Sequence, residues 1–135
     1  MMAESFIAET TFHVRFAETD MQGVVHHSNY IVYFEEGRSD YIRQRGRSYA
    51  EFERDGFLLI VTELSVRYLK AARYDQRITV RTWITEIKSR AMSYQYEIVE
   101  ADTRELLATG LSKHLCLTRD GRITKIPDEW RKWVE

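Results

Sequence analysis

Cysteine, proline and glycine are scarce in this sequence, and each scarcity excludes a class of protein. The single cysteine, Cys116, cannot form an internal disulfide, so a disulfide-stapled secreted scaffold is excluded. One proline and six glycines in 135 residues are too few for a collagen-like repeat or a flexible linker, and 44% apolar residues suffice for a packed core. Long apolar runs are missing too. The longest, Tyr30 to Phe34 and Phe57 to Val61, are five residues each, where a bilayer-spanning helix needs about 20. The opening Met-Met-Ala-Glu-Ser has neither the basic nor the apolar region of a signal peptide. Net charge is nearly absent: twenty Lys and Arg against twenty-one Asp and Glu leave −1, so no global positive field draws the chain to nucleic acid or anionic lipid. These absences predict one soluble cytoplasmic domain over residues 1–135, without a membrane span and without a nucleic-acid partner.

What is present is strongly patterned. Residues 1 to 40 carry seven acidic and two basic residues (net −5), and residues 41 to 135 carry fourteen acidic and eighteen basic (net +4). From Thr11 to Phe16 the residues Phe12, Val14 and Phe16 alternate with Thr11, His13 and Arg15, which is strand periodicity. After a polar turn from Glu18 to Gly23, Ser28 or Asn29 can cap a helix in which Tyr30, Phe34, Gly37, Tyr41 and Ile42 recur at helical spacing, with Gly46 as its stop. The first turns, Tyr30-Ile-Val-Tyr-Phe34, are apolar on every side and must be enclosed. Ser48-Tyr-Ala-Glu51 fits a capping box for a short second helix ending at Gly56.

Beyond Gly56 the period drops to two. Leu64, Val66 and Tyr68, then Ile78, Val80 and Ile84, then Met92, Tyr94, Tyr96 and Ile98 alternate with polar residues as half-buried strands. Leu106 to Thr118 is a further strand, Asp120-Gly121 signals a hairpin into Arg122 to Ile126, and Asp128 can cap a short terminal helix carrying Trp130 and Trp133. Turns fall near Arg73 to Asp75, at Ser89 and at Asp102 to Arg104. Short turns between consecutive strands require antiparallel neighbours, so the pattern is α+β: one curved antiparallel sheet wrapped around the helix at 30–45.

Familiar catalytic devices are few. There is no glycine-rich phosphate loop, no G-x-S-x-G elbow and no cysteine pair. Cys116 sits mid-strand as a structural thiol, and the adjacent His26 and His27 should diverge, so no metal site is expected. What remains is the stretch from Glu18 to Tyr30, which sets Asp20 in a turn directly before a helix start. Unpaired N–H groups there can receive a developing oxyanion, while a nearby carboxylate attacks a carbonyl or activates a water that attacks it. Alternatively, Asp20 only closes its turn and the histidines only fill space.

The run Asp20-x-x-Gly23-Val-Val-His-His27-x-Asn29-Tyr30-x-x-Tyr33-Phe34-Glu35-x-x-Arg38 resembles the signature of hotdog-fold acyl-CoA thioesterases of the 4-hydroxybenzoyl-CoA thioesterase type. The likeness continues through Tyr74-Asp75, Lys88 to Tyr96, and Asp120-Gly121 with Pro127. It implies a hotdog fold, with the long helix wrapped by the sheet, and an enzyme that hydrolyses an acyl thioester without metal or organic cofactor. It assigns Asp20 as nucleophile or general base and His27 as the residue whose backbone N–H, with or without its ring, polarises the thioester carbonyl. Asn29 and Tyr30 would line the site, and Lys88 and Arg90 would meet the phosphates of coenzyme A. A second branch of hotdog thioesterases carries its carboxylate on the helix, which makes Glu35 the alternative; Glu35 and Arg38 also read as an ion pair spaced i, i+3. Because hotdog sites form where two protomers meet, a homodimer or homotetramer is implied. An acyl-carrier-protein substrate and a non-catalytic acyl-CoA-binding module are the rival readings.

Overall fold

The computed structural model describes residues 6–134, so the Met-Met-Ala-Glu-Ser start lies outside the described residues. Strand β1 (Ala8–His13) leads through a 3-10 turn at Phe16–Glu18 to helix α1 (Asn29–Gln44) and the short α2 (Tyr49–Arg54). Strands β2 (Phe57–Tyr68), β3 (Arg77–Ile87), β4 (Ala91–Glu100) and β5 (Leu106–Thr118) follow, then α3 (Asp128–Arg131). The five strands form one antiparallel sheet in the order β1-β3-β4-β5-β2. A long helix held by such a sheet is the hotdog architecture the sequence likeness implies. No helix among the described residues is long and apolar enough to cross a membrane.

Helix α1 buries Tyr30, Tyr33, Phe34, Gly37, Tyr41 and Ile42, the expected stripe with Tyr33 added. It ends as the glycine signal predicts. Gly46 takes φ +90°, its N–H donates to Arg43 O at 3.0 Å, and the N–H of Arg47 reaches Ile42 O at 3.1 Å, closing the last turn. Two glycines let helix and sheet approach each other. A Cβ on Gly37 would overlap Thr82 and Val80, and one on Gly110 in β5 would overlap the Phe34 ring. That ring lies flat on Tyr96, with centroids 4.4 Å apart. The inner faces of β3 and β4 follow the alternation: Ile78, Val80, Ile84, Met92, Tyr94, Tyr96 and Ile98 are all buried.

Five expectations need correction. The first strand stops at His13, and Phe16 is 77% exposed instead of lying inward. The carboxylate of Glu18 takes the N–H and guanidinium of Arg15 and pulls the chain out of the sheet before the alternation ends. Strand β2 starts at Phe57, earlier than its alternation suggests, because a bulge between Val61 and Glu63 absorbs one residue and breaks the period. The Asp120-Gly121 turn forms, but its returning limb makes one bridge, Leu117 to Ile123, instead of a strand; Pro127, not Asp128, caps α3. Ile31 and Val32, expected to be enclosed, stay exposed on this chain.

Candidate active site

The segment between β1 and α1 is a compact knot of backbone bonds. Thr19 bridges Val25, Asp20 N–H donates to Val24 O at 2.9 Å, and Gly23 N–H returns to Asp20 O at 3.0 Å. Gly23 takes φ +79°, a conformation that suits glycine, and Asp20 Oδ1 accepts the Gln22 N–H at 2.8 Å. The turn-closing role of Asp20 is therefore real, yet it uses one carboxylate oxygen. The other accepts nothing from the protein among the described residues, and the side chain is exposed.

Glu18, which sequence reasoning did not single out, anchors this knot to the helix. Its carbonyl accepts from His26 N–H at 2.9 Å and from the Asn29 side chain at 2.9 Å. Its carboxylate accepts from the Tyr33 hydroxyl at 2.7 Å. Burial works against its charge, but hydrogen bonds from the Arg15 N–H, Tyr33 and the Arg15 guanidinium hold Glu18 below the usual carboxylate range. Burial and the Glu18 carboxylate in turn push Tyr33 far up. The available signal was position: Glu18 lies directly before the Asp20 turn.

His27 is exposed at the helix start, and its N–H meets no acceptor among the described residues. The Tyr68 hydroxyl of β2 donates to His27 O at 2.9 Å, which fixes the peptide orientation. The neighbouring His26 and His27 rings do not diverge; they lie 4.2 Å apart at 31°. His26 turns back because its Nδ1 meets Ser28 Oγ at 2.8 Å. Asn29 ties the first helical turn to Glu18, and Tyr30 is buried with its hydroxyl accepting the Ala72 N–H at 3.0 Å, so both hold the helix start in place.

Glu35 is exposed two turns into α1, and it does not pair with Arg38. Arg38 instead turns under the helix and donates to Tyr96 Oη at 3.3 Å. Lys88 and Arg90 are exposed on the β3–β4 turn, which the C-terminal segment braces: Ile126 N–H and the Arg131 guanidinium both donate to Ser89 O. The pairing register puts that turn at the far end of the sheet. His13 with Arg77 and Tyr68 with Ala108 mark the Asp20 end, whereas Ile87 with Met92 and Phe57 with Thr118 mark the other. Ten residues of strand separate the two ends, roughly 30 Å, so one chain does not bring Lys88 and Arg90 to Asp20.

The Asp20 turn, with one carboxylate oxygen free among the described residues, leads into a helix whose starting amide at His27 is exposed, and these are groups that acyl transfer can use. The chain belongs to the thioesterase-like superfamily, whose family model matches residues 14–134, and it is a thioester hydrolase. It is similar to DHNA-CoA thioesterase from Staphylococcus aureus, with 34% identity, a TM-score of 0.88, and coverage of 94% of this chain and 87% of that one. It is also similar to protein TT1821 from Thermus thermophilus, with 36% identity, a TM-score of 0.86, and coverage of 93% and 95%. The acyl-CoA thioester hydrolase YbgC of Escherichia coli is 27% identical over 89 residues, 66% of each chain.

Proposed function

We propose that the protein hydrolyses acyl-CoA thioesters to a free carboxylic acid and coenzyme A, as an enzyme of the 4-hydroxybenzoyl-CoA thioesterase type. The observation that carries this reading is the junction of Asp20 and the His27 amide, laced together by the Thr19–Val25 bridge at the start of a sixteen-residue helix. The thioester oxygen accepts from the His27 N–H and, as charge develops on it, from the helix start. Asp20 either attacks the carbonyl carbon, expelling the thiolate and leaving an anhydride that water opens, or takes a proton from a water that attacks directly. Either route ends with the acid on the acyl side and a protonated thiol on the other. The names of the S. aureus and E. coli relatives support a CoA carrier.

The second wall of the site comes from another copy. Among the described residues strand β2, twelve residues long, is an outer edge of the sheet, with Ile60, Val61 and Leu64 exposed along it. Antiparallel pairing of two such edges lays the Phe57 end of one copy beside the Tyr68 end of the other. The second copy's Lys88 and Arg90 then approach the first copy's Asp20, where they meet the phosphates of coenzyme A. A homodimer is therefore the smallest competent unit, and the lone buried Cys116 suits a reducing cytoplasm.

Thiol release from one acyl-CoA, measured for Asp20→Asn and Glu35→Gln, tests the assignment. Asp20→Asn should lower kcat on the order of 10² to 10⁴-fold, with Glu35→Gln far less affected. If only the Glu35→Gln enzyme is dead, the carboxylate is Glu35.

A further inference from the structure

Beside α1, between the helix and strands β4, β5 and β2, lies a cavity of about 270 Å³ lined by Glu35, Arg38, Ile42, Tyr49, Tyr94 and His114 among others. Its polar atoms form a chain with a loose end. Arg38 donates to Tyr96 Oη, Tyr96 Oη lies 2.5 Å from Ser112 Oγ, and Ser112 Oγ lies 2.7 Å from His114 Nε2. A guanidinium can only donate. Tyr96 therefore accepts from Arg38, and the order that uses every hydroxyl hydrogen of the chain runs from Tyr96 to Ser112 and from Ser112 to Nε2. That order leaves the imidazole proton on Nδ1, an atom without a partner. The Tyr94 hydroxyl has no partner either. Tyr94 is 1% exposed and His114 2%, and unpaired polar groups at such depth are rare.

Arg38 adds a positive charge that no carboxylate neutralises; its one polar partner among the described residues is Tyr96. Burial, with Arg38 close by, depresses His114 to about 4, so the ring is neutral at pH 7 and carries one N–H. Glu35, the one carboxylate on the lining, is solvent-exposed at the rim, where water and salt weaken its field.

Between the cavity and the reacting end both α1 and β2 carry exposed apolar side chains. Ile31, Glu35, Arg38 and Ile42 recur down one side of α1, and from Asn29 to Arg38 the helix rises about 14 Å. Leu59, Val61 and Leu64 pair in register with Cys116, His114 and Ser112, so they share the sheet face on which those three are buried. Val61 and Leu64 remain 47% and 39% exposed there, along β2 between Leu59 on the cavity and Tyr68 at His27.

Resting on the acyl-thioesterase reading, we propose that this cavity receives the far end of the acyl group and selects thioesters ending in an acceptor oxygen, above all a carboxylate. Methylene groups lie on Ile31, Val61 and Leu64, and the terminal oxygens accept from Arg38, from His114 Nδ1–H and from the Tyr94 hydroxyl. These are specificity residues and take no part in bond breaking.

Equilibrium binding to the Asp20→Asn protein tests this, comparing CoA monothioesters of saturated α,ω-dicarboxylic acids with methyl-ended acyl-CoA thioesters of matched lengths. The carboxylate-ended series should bind tighter by roughly tenfold or more at its best length. Adding Tyr94→Phe or Arg38→Met should bring that ratio toward one. Tyr94→Phe deletes a hydroxyl that bonds to nothing, so the melting temperature of the free protein should hold or rise while discrimination is lost. Equal binding of the two series, or a ratio that survives both substitutions, overturns the proposal. If the Asp20→Asn protein still releases thiol, the role given to Asp20 fails instead, and the same ratio is read from kcat/KM.

Discussion

His114 is the residue whose burial has the most measurable consequence. Its folded value of about 4 against an ordinary 6.5 means that the unfolded chain takes up a proton that the folded chain refuses. The associated stability is fully present above pH 6.5 and is lost as pH falls toward 4, with a ceiling of roughly 3 kcal/mol. His114→Gln should therefore lose less stability than the parent when denaturant unfolding is compared at neutral pH and near pH 4.5. Equal acid sensitivity would mean that the ring titrates normally. Glu18 works in the same direction at lower pH, since its folded value is depressed and its stabilisation disappears as the carboxylate protonates. Neither role could be read from sequence: His114 lies in an alternating strand like any core residue, and Glu18 acts through residues as far along the chain as Tyr33.

Among the elements, α1 and its seat on the sheet were the most legible. The spacing of Tyr30, Phe34, Gly37, Tyr41 and Ile42 named the buried face, and Gly46 named the end, because both signals are local. Gly110 was silent, since its importance comes from Phe34, far away along the chain. Gly110→Ala should cost about 1–3 kcal/mol, because either Phe34 leaves its stack on Tyr96 or β5 shifts; thermal unfolding measures it, and an unchanged melting temperature would show that the ring has room to move. The long β2 was the least legible element. Its bulge after Val61 restores the inward face of Leu64, Val66 and Tyr68, but to a period count it reads as two unrelated fragments.

For the whole molecule, the separation of Lys88 and Arg90 from Asp20 by the length of the sheet makes a sharp prediction. If each site joins Asp20 of one copy to Lys88 and Arg90 of the other, Asp20→Asn and Lys88→Glu/Arg90→Glu proteins, each impaired alone, should complement on mixing and subunit exchange. Random reassortment makes half of the dimers mixed, each with one intact site of two, so about a quarter of the parental activity should return at the parental KM. No recovery despite proven exchange would place both sets of residues in the same protomer's site or outside the site altogether. Ile60→Lys on the β2 edge, whose side chain lies on the opposite face from Val61 and the acyl path, should shift the gel-filtration mass toward a monomer and abolish thiol release together. A monomer that keeps full activity would end the shared-site reading.

The sequence alone determined the α+β class, the helix with its buried stripe, the antiparallel strands and the Asp20 turn before a helix start, because each is written in residues a few positions apart. Its likeness to hotdog thioesterases then pointed to the chemistry that membership of the thioesterase-like superfamily bears out. Only the tertiary structure decided that Glu18 ties the turn to the helix, that Arg38 faces the sheet and not Glu35, and that Lys88 lies a strand's length from Asp20. Those facts depend on strand pairing and on side chains meeting from distant parts of the chain, and a register shift of one residue in β4 would turn Tyr96 away from Arg38 without changing any local pattern.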